Sequence, residues 1–207
     1  MATLELNGKS LATQTSSDEP VIASTVTGGA GLSGMTSLGT VTVGNLANTA
    51  IVYPAGHVLQ TLYVQKTTGS SSTTSTTFRN YTNLVLTITP SSTSSKIFIL
   101  GNAHLYINGS DPSGWNAGNL RILQTISGGS DVEVWKNTTD NDIGFGRFST
   151  DTTSRQMGWS PIQYLDSPST TSAITYQIQY NSVQGDSMAE DGAGNGHSDL
   201  MLQEIAQ

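Results

Sequence analysis

The stretch "TVTGGAGLSG", residues 25–34, places Gly29, Gly31 and Gly34 in the order G-x-G-x-x-G. That spacing cradles a dinucleotide pyrophosphate when it follows a strand and opens a helix, with an acid about 20 residues on for the ribose. Here Gly34 runs into "MTSLGTVTVGN", β-branched and glycine-broken, and no Asp or Glu occurs between Glu19 and Asp111. Helix and ribose ligand are both missing, so no cofactor is expected, and the glycines serve tight turns and close packing. Three carboxylate pairs stand close in sequence: Asp131 with Glu133, Asp140 with Asp142, and Glu190 with Asp191. On a strand, Asp131 and Glu133 would point the same way about 7 Å apart, within the separation a glycosidase uses across a sugar. A solvated strand edge is the simpler reading of that pair. His57, His104 and His197 have no ligand-spaced partner, and no serine sits in a nucleophile-elbow glycine pattern. The run "EDGAGNGHSD" is oxygen-rich and glycine-flexible like a calcium loop, but it misses the EF-hand spacing. With no cysteine there is no disulfide, thiolate zinc site or cysteine nucleophile. The expectation is a protein that is not an enzyme, with no catalytic residue and no metal.

The aromatics say more. Trp115 lies in "NGSDPSGWNAGN", read as a loop, beside Asp111, Asn116 and Asn119. A flat apolar ring among amide and carboxylate groups is how a protein surface meets a sugar, so these four residues are the candidate glycan contacts. Plugging the end of a sandwich, or a subunit contact, is the competing role for Trp115, Trp135 and Trp159. The Asn-x-Ser/Thr triplets at Asn80, Asn108 and Asn137 are what chance supplies in a chain this rich in Ser and Thr.

These residues need elements to position them, and composition narrows which. Only 11% of the 207 residues are charged, against about 25% in an average domain. Net charge is −7 with eight Lys and Arg in total, so no basic stripe exists to meet nucleic acid or an anionic membrane. Neither a signal pattern nor a run of about 18 apolar residues is present, which predicts synthesis in a cytoplasm and solubility until assembly. Clean alternation predicts strands in "TNLVLTITP" (Leu84, Leu86 and Ile88 inward) and "SAITYQIQYNSV" (Ile174, Tyr176, Ile178 and Tyr180 inward). Val58, Leu62 and Val64 are expected to share a face. "SKIFILGNAHLYIN" is apolar on both faces, as in a central or interface strand, and "GNLRILQTISGGSDVEVWKN" reads as two strands about a Gly128-Gly129 turn. With the closing "DLMLQEIAQ", seven or eight strands argue for an all-β, antiparallel two-sheet jelly-roll sandwich over residues 56–207.

Residues 1–55 read differently. "ATLELNG" and "PVIASTVTG" are short β-type runs, broken by glycine and too weakly apolar to make a core alone. They suggest an extended, glycine-rich arm sheltered by other chains, with Leu4, Leu6, Val21 and Ile22 as candidate anchor residues.

"SLGTVTVGNLANTAIVYPAGHVLQT", "TNLVLTITPSSTSSKIFILGNAHLYIN", "YLDSPSTTSAITYQIQYNS" and "LMLQEIAQ" occur in that order over residues 38–207. The order, with the Pro54, Gly56, His57, Val58 opening and the Leu165–Tyr176 stretch, resembles a tail-fibre-like module of bacteriophage virion proteins. The resemblance implies a trimeric jelly-roll head, similar to tumour-necrosis-factor and complement globular-head domains, on an N-terminal stalk or anchor. It brings no catalytic residues. It implies a phage virion structural protein, either a short fibre or a capsid-decoration protein clamped by its arm, with other virion proteins as partners. The alternative is a tail fibre or spike whose head binds host surface glycan; a free lectin and a polysaccharide depolymerase are more distant readings.

Overall fold

The computed structural model describes residues 2–7, 9–14, 20–22, 53–67, 69–108, 115–137, 145–148, 155–183, 185, 187–190 and 196–207. Every regular element among them is a β-strand. The chain divides into two compact units, Met1–Ile51 and Val52–Gln207, and each is taken by itself.

In the first unit, β1 (Ala2–Leu6), β2 (Lys9–Gln14) and β3 (Pro20–Ile22) pair antiparallel in the order β1-β2-β3. Leu6 and Lys9 are paired partners, and Asn7 between them has φ 51°. Asn7-Gly8 is the dipeptide that tolerates the left-handed backbone of a two-residue hairpin. The four candidate anchor residues thus fall on β1 and β3. Ala12 pairs with both Leu4 and Ile22, Thr13 with Val21, and Lys9 with Leu6. Gly29, Gly31, Gly34 and the apolar runs from Val41 to Val52 lie outside the described residues.

The second unit is a two-sheet sandwich. Its strands are β4 (Val58–Lys66), β5 (Ser71–Thr73), β6 (Arg79–Ile88), β7 (Lys96–Asn108), β8 (Trp115–Ile126) and β9 (Asp131–Lys136). They continue with β10 (Phe145–Phe148), β11 (Arg155–Asp166), β12 (Ile174–Ser182), β13 (Ser187–Glu190) and β14 (Ser198–Ile205). Sheet I runs β4-β14-β7-β11, with β13 and β5 continuing it beyond the end of β14; sheet II runs β6-β12-β8 with β9 and β10 sharing the far edge of β8. Successive long strands alternate between the sheets, only β8 and β9 forming a hairpin, and the first pairs with the last. That is the winding of a jelly roll. Chain entry and exit are tied together, Gly56 N donating to Ala206 O (2.8 Å) and Ala206 N to His57 O (2.9 Å).

Burial follows the predicted alternation. Ile174, Tyr176, Ile178 and Tyr180 on β12 and Leu84 and Ile88 on β6 meet Ile97, Ile99, Leu200 and Leu202 of sheet I in one core. Tyr81 and Tyr180 pack edge to face there at 5.6 Å. The hairpin about Gly128 forms as expected, with Gly129 N donating to Ile126 O and Gly128 at φ 81°. Val58 departs from the pattern. Glu204 pairs with Gln60 but Ile205 with Val58, so Leu59 is an extra residue in β4. One inserted residue reverses the facing of everything beyond it, and Val58 is exposed while Leu62 and Val64 pack on the core. A larger irregularity breaks β6 against β12, where Val85 pairs with Gln177 and Asn80 with Gln179. The Gln177 amide reaches the carbonyls of Tyr81 (3.1 Å) and Leu84 (3.2 Å) within the bulge.

Candidate functional site

Asp166, Glu190 and Glu204 are buried, and buried charge is where chemistry or strict structural demand shows itself. Glu190 on β13 meets Lys66 Nζ from β4 at 2.9 Å, and accepts from the backbone and hydroxyl of Thr82 in the β6 bulge, each at 2.6 Å. Lys66 also lies over the Tyr81 ring, and the Tyr81 hydroxyl donates to His104 O at 2.7 Å. Burial, then the nearby Glu190 charge, pushes the Tyr180 phenol up to about 12. Asp166 on β11 accepts from Gln124, from the Tyr176 hydroxyl and from Ser167 N. Burial, then that bond to Asp166, raises the Tyr176 phenol well above its ordinary range. Glu204 on β14 accepts from Ser91 N, Ser91 Oγ, Ser95 Oγ and Gln60 Nε2. Burial raises its carboxyl, but those bonds together outweigh burial and leave it below the usual range. In each cluster the donors are protein groups that tie strands and connections together, which is a structural arrangement.

The two outer faces differ sharply. On sheet I, cross-strand partners give the rows Tyr63–Met201–Leu100–Gln163 and Thr61–Gln203–Phe98–Leu165. Between the rows of Lys96 and Trp159, the charged residues on this face are Lys96 and Asp199 alone. Tyr63, Leu165 and Trp159 are exposed, and Trp159 is 60% accessible. Trp159 is held in place: its Nε1–H donates to His197 O at 3.3 Å, and its ring tilts against buried His104 at 4.8 Å. His104 in turn packs closely against Gly196, where any side chain would overlap the imidazole. On sheet II the corresponding outer rows are Thr87–Thr175–Thr125–Asp131, Val85–Gln177–Leu123–Glu133 and Asn80–Gln179–Arg121–Lys136. They are mostly amide, hydroxyl and charge.

The sequence-predicted residues distribute as follows. Trp115 and Asn116 open strand β8 instead of sitting in a loop, because β10 pairs with them through Phe148 and Arg147. Asn119 is buried three residues further on, opposite Asn181. Asp111 lies outside the described residues, as do the side chains of Trp115 and Asn116. Asp131 accepts from Thr125 Oγ1 (2.6 Å) and Glu133 pairs with Arg121 (3.0 Å), so each acid has its own partner across the hairpin. His57 stacks on Tyr53 at 4.7 Å. Asp140, Asp142 and Asp191 are outside the described residues. Among the described residues no group of three or more His, Asp or Glu could hold a metal ion. Sequence reasoning missed the two contrasting outer faces; the signal was present in the odd and even positions of β7, β11 and β14, but only the strand pairing aligns them.

No family model matches the chain, and no curated protein matches it. Among solved structures, infectious bursal disease virus, Gx strain, aligns with a TM-score of 0.35 and 14% identity over 74% of this chain and 38% of that one. The same virus, Gt strain, aligns with a TM-score of 0.30 and 13% identity over 80% of this chain and 42% of that one. This chain spans less than half the length of those chains. Likeness at these scores carries no argument about function, and the fold rests on its own strand pairing.

Proposed function

We propose that this chain is a structural protein of a phage particle, a short homotrimeric fibre or capsid-decoration protein. The N-terminal residues, with Leu4, Leu6, Val21 and Ile22 as anchor, attach it to other virion proteins. The observation that carries the reading is the outer face of sheet I. A chain of net charge −7 repels its own copies over most of its surface. The rows from Thr61–Leu165 to Tyr63–Gln163 contain no charge, and they set Tyr63, Met201, Leu100, Phe98 and Leu165 side by side. Four strands at about 4.8 Å spacing and some nine residues at about 3.3 Å make a face of about 600 Å² before side-chain relief, close to one partner's share of a standard interface. A second copy is the occupant that meets such a face while desolvating little charge, Lys96 and Asp199 lying outside its two central rows. The number three comes from the resemblance to phage fibre modules.

The test is the mass of the purified full chain by light scattering. Three times the 21.7 kDa of one chain is expected, and Leu100→Glu combined with Met201→Glu should give single chains with unchanged β content. Wild-type protein that stays a single chain at micromolar concentration overturns the reading.

A further inference from the structure

On the outer face of sheet II, Asn80 on β6, Gln179 on β12, Arg121 on β8 and Lys136 on β9 are consecutive cross-strand partners. Their hydrogen bonds allow one polarity. Arg121 Nε–H can only donate, so Gln179 must present Oε1 to it, at 2.8 Å. The same amide then gives Nε2 to Asn80, whose Oδ1 accepts at 2.7 Å. Arg121 commits one terminal nitrogen to Glu133 at 3.0 Å. What the row has left to offer a ligand is donors: the Asn80 amide NH2, the second terminal nitrogen of Arg121 and the Lys136 ammonium.

The charges agree with the hydrogen bonds. Arg121 and Lys136 are like charges directly opposite on neighbouring strands, an arrangement that destabilises a sheet. Both lie over the Phe78 ring, the guanidinium carbon at 4.3 Å and the ammonium nitrogen at 5.6 Å from its centre. Among the described residues one carboxylate, Glu133, is bonded to this pair of cations, through Arg121. In a chain with eight Lys and Arg against fifteen Asp and Glu, this row keeps a local positive excess. An anion bridging the two cations offsets their repulsion and takes up the donors at once.

We propose that the row binds the carboxylate of an acidic saccharide, a uronate unit. The carboxylate bridges Arg121 and Lys136. The Asn80 amide NH2 beside them matches a hydroxyl that flanks a carboxylate on a pyranose ring, which a bare inorganic anion lacks. The site lies within one chain, on the sheet opposite the apolar face, so it stands independently of the assembly proposed above.

The experiment is titration of the full chain with oligogalacturonate, followed by calorimetry and by backbone amide shifts. Neutral malto-oligosaccharide and inorganic phosphate are the comparison probes. Oligogalacturonate should shift amides of β8, β9 and β12, and malto-oligosaccharide should not. Lys136→Gln should weaken binding about tenfold or more, the loss of one charge-assisted hydrogen bond, with a melting temperature no lower than that of the wild type, because the repulsion from Arg121 is relieved. Arg121→Lys keeps the charge but loses the fork that orients Gln179; it should weaken binding too, which a merely electrostatic patch would not show. Absence of shifts at millimolar oligogalacturonate overturns the proposal. So does an equal response to the neutral sugar, and phosphate binding as tightly as oligogalacturonate removes the saccharide from it.

Discussion

Lys66 and Glu190 are 124 positions apart in sequence and 2.9 Å apart in the fold, both fully buried. Taking two ions out of water costs several kcal/mol each, and their attraction returns this only where further hydrogen bonds complete the site. Thr82 completes it, its N–H and hydroxyl covering both oxygens of Glu190. Changing Glu190→Gln keeps the size of the side chain but replaces one of its two accepting oxygens with an NH2 donor, and it leaves the buried ammonium facing a neutral amide. Chemical denaturation should show a loss of about 3–5 kcal/mol. Adding Lys66→Met should recover most of it, because the orphaned charge is then gone. Equal stability of the single and double variants would mean that the pair is not coupled. Reading the sequence for chemistry looks for neighbours in the chain, such as Asp131 with Glu133, and so passes over this pair. Those two acids end on separate partners, Thr125 and Arg121, while the carboxylate that matters to the core waits in a short Ser-Met-Ala-Glu strand.

At the scale of elements, close approach of strands decides what alternation cannot. Gly101 sits on β7 opposite Leu200, and a Cβ there would come within 2.4 Å of the Asp199 carbonyl oxygen. The obstacle is backbone in the paired strand β14, so it cannot swing aside. Gly101→Ala should cost about 1–3 kcal/mol, seen as a melting temperature lower by about 3–10 °C for a unit of this size. An unchanged melting temperature would show that β7 and β14 separate at no cost. The alternation of β6, β12 and β14 was legible in the sequence because each has one face in the core and one outside. Leu84 and Ile88 face in with Val85 and Thr87 out, and Ile174 to Tyr180 keep their period across the sheet. Bulges were not legible. The extra Leu59 that turns Val58 outward, and the four residues of β6 between Asn80 and Val85, depend on what the partner strand does. Strands β5, β10 and β13 escaped for another reason: three or four residues carry no period. The Asn7-Gly8 hairpin was readable and passed unread; it turns two β-type runs into a three-stranded meander.

At the scale of the whole molecule, the distribution of charge decides how copies meet. The chain carries −7 overall, yet the outer face of sheet I offers little charge for a salt bridge between copies. Association through that face is therefore driven by apolar burial and opposed by the net charge of each chain. Salt acts on the two in the same sense. Screening shortens the reach of the repulsion from about 30 Å at 0.01 M to about 3 Å at 1 M, while removal of apolar surface from water is not weakened by it. Equilibrium sedimentation at low and high sodium chloride should accordingly find the oligomer tighter at high salt. Ion pairing across the interface would give the reverse order, with the oligomer dissociating as salt rises. That reverse order would place the contact on the charged, amide-rich outer face of sheet II, where Arg121, Glu133 and Lys136 lie, and would leave the apolar rows of sheet I without the partner proposed for them.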